Sequence, residues 1–279
     1  MIIFKQASEI TSYIDNQRLK GKKIGFVPTM GALHLGHLSL IQQCREKNEI
    51  TVCSSFINPA QFNNPEDFQK YPITLENDIK LLEEEDCDIL FIPSVEEIYP
   101  ENFEKKHYEL GYLEQVLEGK HRPGHFQGVC MVVERLLSIV RCDNLYLGKK
   151  DYQQCMVLSH LIQSLKINTQ INLIDTIREN NGLAMSSRNQ RLSDDEKNKA
   201  LSIFKALTYI KNNIKAGDLK TLIDNAETIL IENDFLIDYL EITDQKLNTL
   251  LDWDGKTPLV VLVAATINNI RLIDNMNIP

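Results

Sequence analysis

The sequence predicts an α/β protein in which a parallel sheet carries helices on both faces, followed by a smaller C-terminal α+β domain. Three observations predict it. Short apolar runs rich in β-formers alternate with longer helical patterns through residues 1–176, the order that builds βαβ units. Over residues 177–279 two helical patterns come first and strand patterns follow, which suits a separate α+β domain. The chain has 279 residues, 43% hydrophobic and 25% charged, enough to bury a real core.

The elements follow in order. Ile24 to Val27 is a short apolar run ended by Pro28, and Leu38, Leu40, Ile41 and Cys44 then give a helical stripe. Ile50 to Ile57 reads as a strand ended by Asn58-Pro59. Asn77 to Asp86 reads as a helix, and Asp88 to Ile92 as a strand stopped by Pro93. Gly128 to Val140 is a strongly apolar helix, Asn144 to Leu147 a short strand, Asp151 to Leu165 a helix and Gln170 to Ile174 a strand. Ser193 and Glu196 form a capping box that opens a helix reaching about Asn213. Asp218 is placed to cap a second helix whose face carries Leu219, Leu222, Ile223, Ala226, Ile229 and Leu230. Strands are expected at Phe235 to Thr243, Pro258 to Thr266 and Ile270 to Asp274, with Asn268-Asn269 as a tight hairpin turn.

Composition narrows the function classes. A net charge of −9 argues against non-specific binding to nucleic acid or anionic membranes, which needs basic surface. The longest apolar run, Leu259 to Ala265, is far shorter than the ~20 residues of a membrane span. The N-terminal Met-Ile-Ile-Phe-Lys-Gln has no basic segment followed by an apolar one, so no signal peptide is expected. Cys44, Cys53, Cys87, Cys130, Cys142 and Cys155 include no CxxC pair and read as small buried hydrophobes. Free thiols without a signal point to a cytoplasmic protein.

Two segments carry chemistry. Pro28 to His37 (PTMGALHLGH) follows a predicted strand and opens a predicted helix. A helix N-terminus offers unpaired N–H groups and a positive dipole end, which favour phosphate. His34 and His37 are three apart, so their rings can face one anion and stabilise charge building on a pyrophosphate leaving group. The Gly31-x4-Gly36 spacing looks like a P-loop, but His37-Leu38 stands where Lys-Ser/Thr is required. The second segment is Gly182 to Asn189 (GLAMSSRN), where two hydroxyls and a guanidinium beside a flexible glycine can bind phosphate.

His34-Leu35-Gly36-His37 paired with Met185-Ser186-Ser187-Arg188 resembles the signatures of the HxGH nucleotidyltransferase superfamily. Phe56 to Phe62, Phe91 to Pro100, Arg122 to Phe126, Gly148 to Gln154 and Gly182 to Asn189 narrow the resemblance to the pantothenate synthetase (pantoate–β-alanine ligase) family. The likeness runs in order over residues 1–195. It implies a Rossmann-like first domain and a ligase that makes pantothenate, AMP and pyrophosphate from ATP, pantoate and β-alanine through a pantoyl adenylate. By resemblance, Met30, Gly31, Ala32, Leu33, His34, Leu35, Gly36 and His37 line the ATP site. Gly148, Lys149, Lys150 and Asp151 contact ATP, and Ile177 offers a backbone contact to adenine. Met185, Ser186, Ser187 and Arg188 close over the triphosphate, ordering as ATP binds. His34, His37, Lys150 and Arg188 are the implied catalytic set, and Gln61 and Gln154 the implied substrate ligands. The resemblance also implies Mg²⁺ with ATP and a homodimer.

Some positions depart from the family pattern. Gln127 and Ile73 stand where arginine is usual, Met131 where threonine is, Asn181 where aspartate is, and Arg191 where an apolar or aromatic residue is. None removes a named catalytic group. A zinc pair at His121 and His125 is disfavoured because Pro123 and Gly124 lie between them. Two other classes compete: a nucleotidyltransferase acting on a phosphorylated small molecule, and a nucleotide-binding protein without catalysis. Intact His34, His37, Lys150 and Arg188 count against the second, and Gln61 and Gln154 in their local contexts favour the ligase. A tRNA synthetase is disfavoured by the short, acidic chain.

Overall fold

A computed structural model describes residues 1–278. The strands are β1 (Ile2–Phe4), β2 (Ile24–Thr29), β3 (Ile50–Ser55), β4 (Ile89–Phe91), β5 (Asn144–Gly148), β6 (Gln170–Ile174), β7 (Gly217–Asp218), β8 (Leu236–Asp244), β9 (Asp252–Trp253), β10 (Leu259–Ile267) and β11 (Ile270–Ile278). The helices are α1 (Ala7–Leu19), α2 (Leu35–Lys47), α3 (Pro65–Gln69), α4 (Leu75–Glu84), α5 (Val95–Ile98), α6 (Leu117–His121), α7 (His125–Val140), α8 (Tyr152–Ser164), α9 (Asp194–Asn213) and α10 (Lys220–Ile231). The chain divides into two compact units. One holds Met1–Lys149 and Gln153–Asp175; the other holds Lys150–Tyr152 and the residues from Thr176 onward.

In the first unit a sheet runs β1-β4-β3-β2-β5-β6, every neighbouring pair parallel. Alternation along the strands makes it two-faced. Phe26, Val52, Ile89 and Leu145 enter one core with residues of α1, α7 and α8. Val27, Cys53, Leu90 and Tyr146 enter another with residues of α2 and α4. The predicted parallel sheet with helices on both faces is therefore present. The chain builds outward from β2 through β3 to β4 on one side, then returns to add β5 and β6 on the other. This reversal makes the carboxyl ends of β2 and β5 a topological switch point, where sheets of this kind hold ligands.

In the second unit β8, β10 and β11 form an antiparallel sheet in the order β11-β10-β8. Residues of α9, α10 and this sheet share one core. Asn268 and Asn269 have φ of 45° and 64°, the left-handed pair that a two-residue hairpin turn requires. Ser193 Oγ accepts the Glu196 N–H and Glu196 Oε2 accepts the Ser193 N–H, so the expected capping box opens α9. Asp218 Oδ1 accepts the Lys220 N–H at 3.0 Å at the start of α10.

The sequence reading lacked β1 and α1. β1 is a three-residue, partly exposed edge strand, paired with β4 from Ile2↔Ile89 to Phe4↔Phe91. α1 begins without a local side-chain cap; the Ala7 N–H instead donates to Glu97 Oε2 at 2.7 Å, ninety residues away. All six cysteines are free and buried. Burial pushes the thiols of Cys44, Cys87, Cys130 and Cys142 up to about 12, and that of Cys53 well above its ordinary value. None of these five stands ready as a thiolate nucleophile at neutral pH.

Candidate active site

The PTMGALHLGH segment begins within β2 and runs into the first turn of α2. Gly31 has φ +78°, and a Cβ there would lie 2.7 Å from Ser55 Oγ. Only glycine suits both the backbone and the space. Ala32 follows at φ 51°. This turn is held by a residue absent from the sequence-level site, Asp78 on α4, which is 1% exposed. Asp78 Oδ2 accepts the Ala32 N–H and Oδ1 the Leu33 N–H, both at 2.9 Å, and Oδ1 also accepts Thr74 Oγ1–H at 2.9 Å. Thr29 Oγ1 accepts the Gly31 N–H at 3.1 Å and donates to the Ser54 carbonyl at 2.6 Å. The signal for Asp78 was a carboxylate one helical turn before the fully buried Leu82, a position that demands partners.

α2 starts at Leu35, so His34 is its N-cap rather than a helical residue. His34 Nδ1 accepts the Gly36 N–H at 3.1 Å. An accepting Nδ1 carries no proton, so a neutral ring has its N–H at Nε2. The His34 and His37 rings lie against each other, tilted, with centroids 4.0 Å apart and planes 33° apart. Both are half-buried at the switch-point end of β2, where the positive end of the α2 dipole favours an anion.

Gln61 lies in the first unit beside this segment. Its Nε2 is 3.0 Å from Met30 Sδ and its Oε1 accepts Asn58 Nδ2–H at 3.1 Å. Its carbonyl faces His125 Nδ1 at 2.8 Å and Arg122 Nη2 at 3.4 Å. Asn58, 1% exposed, also donates to the Gly128 carbonyl and accepts Tyr99 O–H at 2.9 Å. Burial pushes the Tyr99 phenol well up, so it remains a donor at neutral pH. Asn58, Tyr99, Arg122 and His125 belong to the motifs that carry the resemblance, yet sequence alone does not assign them to the site. His121 ends α6 and His125 begins α7, with Gly124 at φ +80° between them. Gln127 binds both the N–H and the carbonyl of Tyr108 at 2.9 Å, and reaches Glu114, so this departure from the family pattern has a structural task. Ile73 is 79% exposed.

Gly148 ends β5, the other strand at the switch point. Lys149 Nζ pairs with Asp175 Oδ1 at 2.6 Å. Gln154 is half-buried on α8, whereas its neighbour Gln153 is buried and spent on structure: it accepts the Glu118 N–H and donates to the carbonyls of Leu113 and Val116.

Lys150 belongs to the second unit, as do Ile177 and Met185 to Arg188. Residues 177–185 form a narrow loop: Met185 N–H donates to the Ile177 carbonyl at 3.0 Å and Glu179 N–H to the Leu183 carbonyl at 2.8 Å. Asn181 Oδ1 accepts the Leu183 N–H at 3.1 Å, a task an aspartate would also perform. Gly182 was expected to lend flexibility. It has φ +97°, and a Cβ there would lie 2.2 Å from the Phe204 ring, so glycine is required by close packing. Ser186 Oγ caps the Ser187–Arg191 turn through the Arg188 N–H, and Asn189 Nδ2 donates to the Ala184 carbonyl at 3.0 Å.

The fold and the first unit's site together define a nucleotide-binding class of α/β protein: a parallel sheet with an anion-ready helix N-terminus and paired histidines at its switch point. Comparison with known proteins narrows that class. The family model described as Pantoate-beta-alanine ligase matches residues 2–277. Pantothenate synthetase of Cytophaga hutchinsonii is 43% identical, and that of Aquifex aeolicus 42%, each comparison covering 99% of both chains. The crystal structure of pantothenate synthetase from Thermus thermophilus superposes with a TM-score of 0.90 at 38% identity, over 99% of both chains. Pantoate-beta-alanine ligase from Francisella tularensis, solved in complex with beta-gamma ATP and beta-alanine, gives 0.84 at 38% identity over 99% of this chain and 97% of that one. This chain belongs to the pantoate–β-alanine ligase family.

Proposed function

We propose that the protein is an ATP-dependent ligase that condenses (R)-pantoate with β-alanine, giving pantothenate, AMP and pyrophosphate through a pantoyl adenylate. The observation that carries this reading is the family match over residues 2–277, which spans both units and every quoted motif. The beta-gamma ATP and beta-alanine bound in the Francisella relative support it.

The chemistry divides into two steps. A pantoate carboxylate oxygen attacks the α-phosphorus of ATP, and the bond to the β-phosphate oxygen breaks, releasing pyrophosphate. The β-alanine amine then attacks the activated carbonyl, and AMP leaves with the carboxylate oxygen while the amine gives up its proton. In the first unit, Met30 to His37 take ATP, with the His34 Nε2–H and His37 donating to phosphate oxygens as negative charge builds. Gly148 and Lys149 also contact ATP from this unit. Gln61 and Gln154 bind pantoate through neutral amides that add no charge to an anionic site, and Gln61 also meets β-alanine. In the second unit, Lys150 and Arg188 offset the repulsion between carboxylate and triphosphate, with Asp151, Met185, Ser186 and Ser187 as further ATP contacts. Ile177, whose carbonyl accepts the Met185 N–H, offers a backbone contact to adenine.

Among the described residues no three His, Cys, Asp or Glu side chains are placed to hold a metal ion. As the resemblance implies, Mg²⁺ would come with ATP as part of the substrate and would offset phosphate charge there. No helix among the described residues is long and apolar enough to cross a membrane. Buried free thiols support a reducing, cytoplasmic location, and family resemblance supports a homodimer.

Labelled pyrophosphate is expected to enter ATP when pantoate is present and β-alanine absent. Oxygen-18 in the pantoate carboxylate is expected to pass to AMP in the full reaction. Label in inorganic phosphate, with ADP as co-product, would mean an acyl phosphate and overturn the adenylate route.

Gln61→Ala and Gln154→Ala are expected to weaken pantoate binding by about 1–3 kcal/mol, the cost of unpaired buried polar groups, with ATP binding nearly intact. Titration calorimetry separates the two ligands. A parallel loss of ATP affinity in Gln154→Ala would sink this division of labour; Gln61 also touches Met30, so Gln154 is the cleaner variant.

A further inference from the structure

The second unit holds a polar assembly that the proposed reaction does not use directly. Arg178 Nη1 and Nη2 donate to Asp274 Oδ2 and Oδ1 at 2.6 and 3.0 Å, a bidentate pair on β11. The same guanidinium donates to the Gly182 carbonyl and the Asn275 carbonyl, both at 3.1 Å. Its Cζ lies 4.8 Å from the centroid of the Phe204 ring, which also fills the space beside Gly182. Asp274 Oδ1 accepts the Asn275 N–H at 2.8 Å, and Asn275 Nδ2 donates to the Lys150 carbonyl at 2.8 Å. Asp274 and Asn275 are 4% and 5% exposed.

β11 is the edge strand of its sheet, so its outer backbone groups need partners from elsewhere. Here two adjacent residues reach two chain segments far apart in sequence, and both segments carry phosphate-directed side chains. Asn275 fixes the backbone of Lys150. Arg178, itself fixed by Asp274, fixes the base of the loop that leads into Met185–Arg188. The Ser187–Arg191 turn also packs against β11.

We propose that Arg178, Asp274 and Asn275 are positioning residues that hold the Lys150 backbone and the base of the Met185–Arg188 loop in a fixed mutual arrangement, so that both meet one ATP triphosphate as the loop orders on it. This rests on the assignment of Lys150 and Arg188 to ATP given above. The physical requirement is strict. A cation helps a phosphoryl transition state only when its charge is already aimed, and displacement by about 1 Å costs about 10²-fold in rate. Lys150 sits on a flexible stem, and only its backbone can be fixed without hindering the ammonium group.

The test uses the full-length protein and three variants. Asn275→Ala removes the link to Lys150, Arg178→Lys keeps the charge but loses the fork, and Lys150→Ala is the reference. In Asn275→Ala, amide hydrogen exchange without ligands is expected to rise at residues 149–152. In Arg178→Lys it is expected to rise at 178–189. Both variants should lower kcat/KM for ATP by about tenfold to a hundredfold, with KM for pantoate and β-alanine unchanged. Unchanged exchange at both segments would overturn the platform, whatever the kinetics. ATP use impaired by Lys150→Ala but untouched by Asn275→Ala and Arg178→Lys would overturn the positioning role alone. ATP use unaffected by Lys150→Ala would instead overturn the assignment of Lys150 to ATP, and the functional half of the proposal with it. Arg178→Lys retains a cation beside the buried Asp274, and Asn275→Ala leaves that pair intact, so neither substitution strands a buried charge.

Discussion

Asp78→Asn is expected to destabilise the protein by about 2–4 kcal/mol and to disable it as an enzyme. The carboxylate accepts three hydrogen bonds in a place that is 1% exposed: two from the backbone of the Gly31–Leu33 turn and one from Thr74. Asparagine has the same shape but one acceptor oxygen. Its NH2 must face one of the two backbone N–H groups, donor against donor. One charge-assisted bond is lost, worth about 1.5–3 kcal/mol, and one buried donor is left unpaired at about 1–3 kcal/mol. Partial relaxation keeps the sum below the arithmetic maximum. The turn carries Ala32 at φ 51°, and the carboxylate supplies two of the hydrogen bonds that offset the conformational cost of holding it. A shift of the turn moves His34 and the first turn of α2 together, and an adenylation rate lower by about 10²-fold follows. Urea denaturation checks the stability and pyrophosphate exchange checks the rate. A stability within about 0.5 kcal/mol of the parent, the range of an ordinary surface change, would show that the turn holds itself.

Much of the fold was legible because periodicity and punctuation agreed. Ile24 to Val27 and Ile50 onward read as strands because apolar β-formers end at Pro28 and Asn58-Pro59, and the structure puts β2 and β3 there. The hairpin at Asn268-Asn269 and the capping box at Ser193 rest on local chemistry, so they were readable residue by residue. β1 and the start of α1 were not, because both depend on distant partners: β4 for the strand and Glu97 for the helix. Of the candidate site, the three-residue spacing after a strand marked His34 and His37 as a pair, and their rings lie 4.0 Å apart. What remained hidden is what holds the motifs in place. Asp78 reaches the turn across 46 positions, Asn275 reaches Lys150 across 125, and Arg178 reaches Asp274 across 96. No window of sequence contains such pairs. The packing role of Gly182 was hidden for the same reason: its steric partner, Phe204, lies on α9.

His37→Ala is expected to slow pantoyl-adenylate formation by about 10²-fold or more, the scale of losing one transition-state donor, while the protein folds normally. Either histidine would be a candidate for such a test, but the two differ in what else they do. His34 is the N-cap of α2, and its Nδ1 takes the Gly36 N–H. Its removal would cost about 1 kcal/mol as a lost cap and would loosen the helix end that the anion needs, so a slower His34→Ala enzyme would not separate positioning from catalysis. His37 lies within the helix, where its N–H donates to the His34 carbonyl through the backbone, a bond that alanine keeps. Alanine is also the stronger helix former. What the substitution removes is the imidazole, half-buried and 4.0 Å from its neighbour at the end of β2. Pyrophosphate exchange in the presence of pantoate reads adenylation directly, and the second step can be checked separately with preformed pantoyl adenylate and β-alanine. The expected pattern is a large loss in the first step and little in the second, because only the first develops charge on departing pyrophosphate. An exchange rate equal to that of the parent would remove His37 from the mechanism. Equal losses in both steps would mean that the ring does not serve departing pyrophosphate alone, but answers charge on AMP as well or shapes the site as a whole.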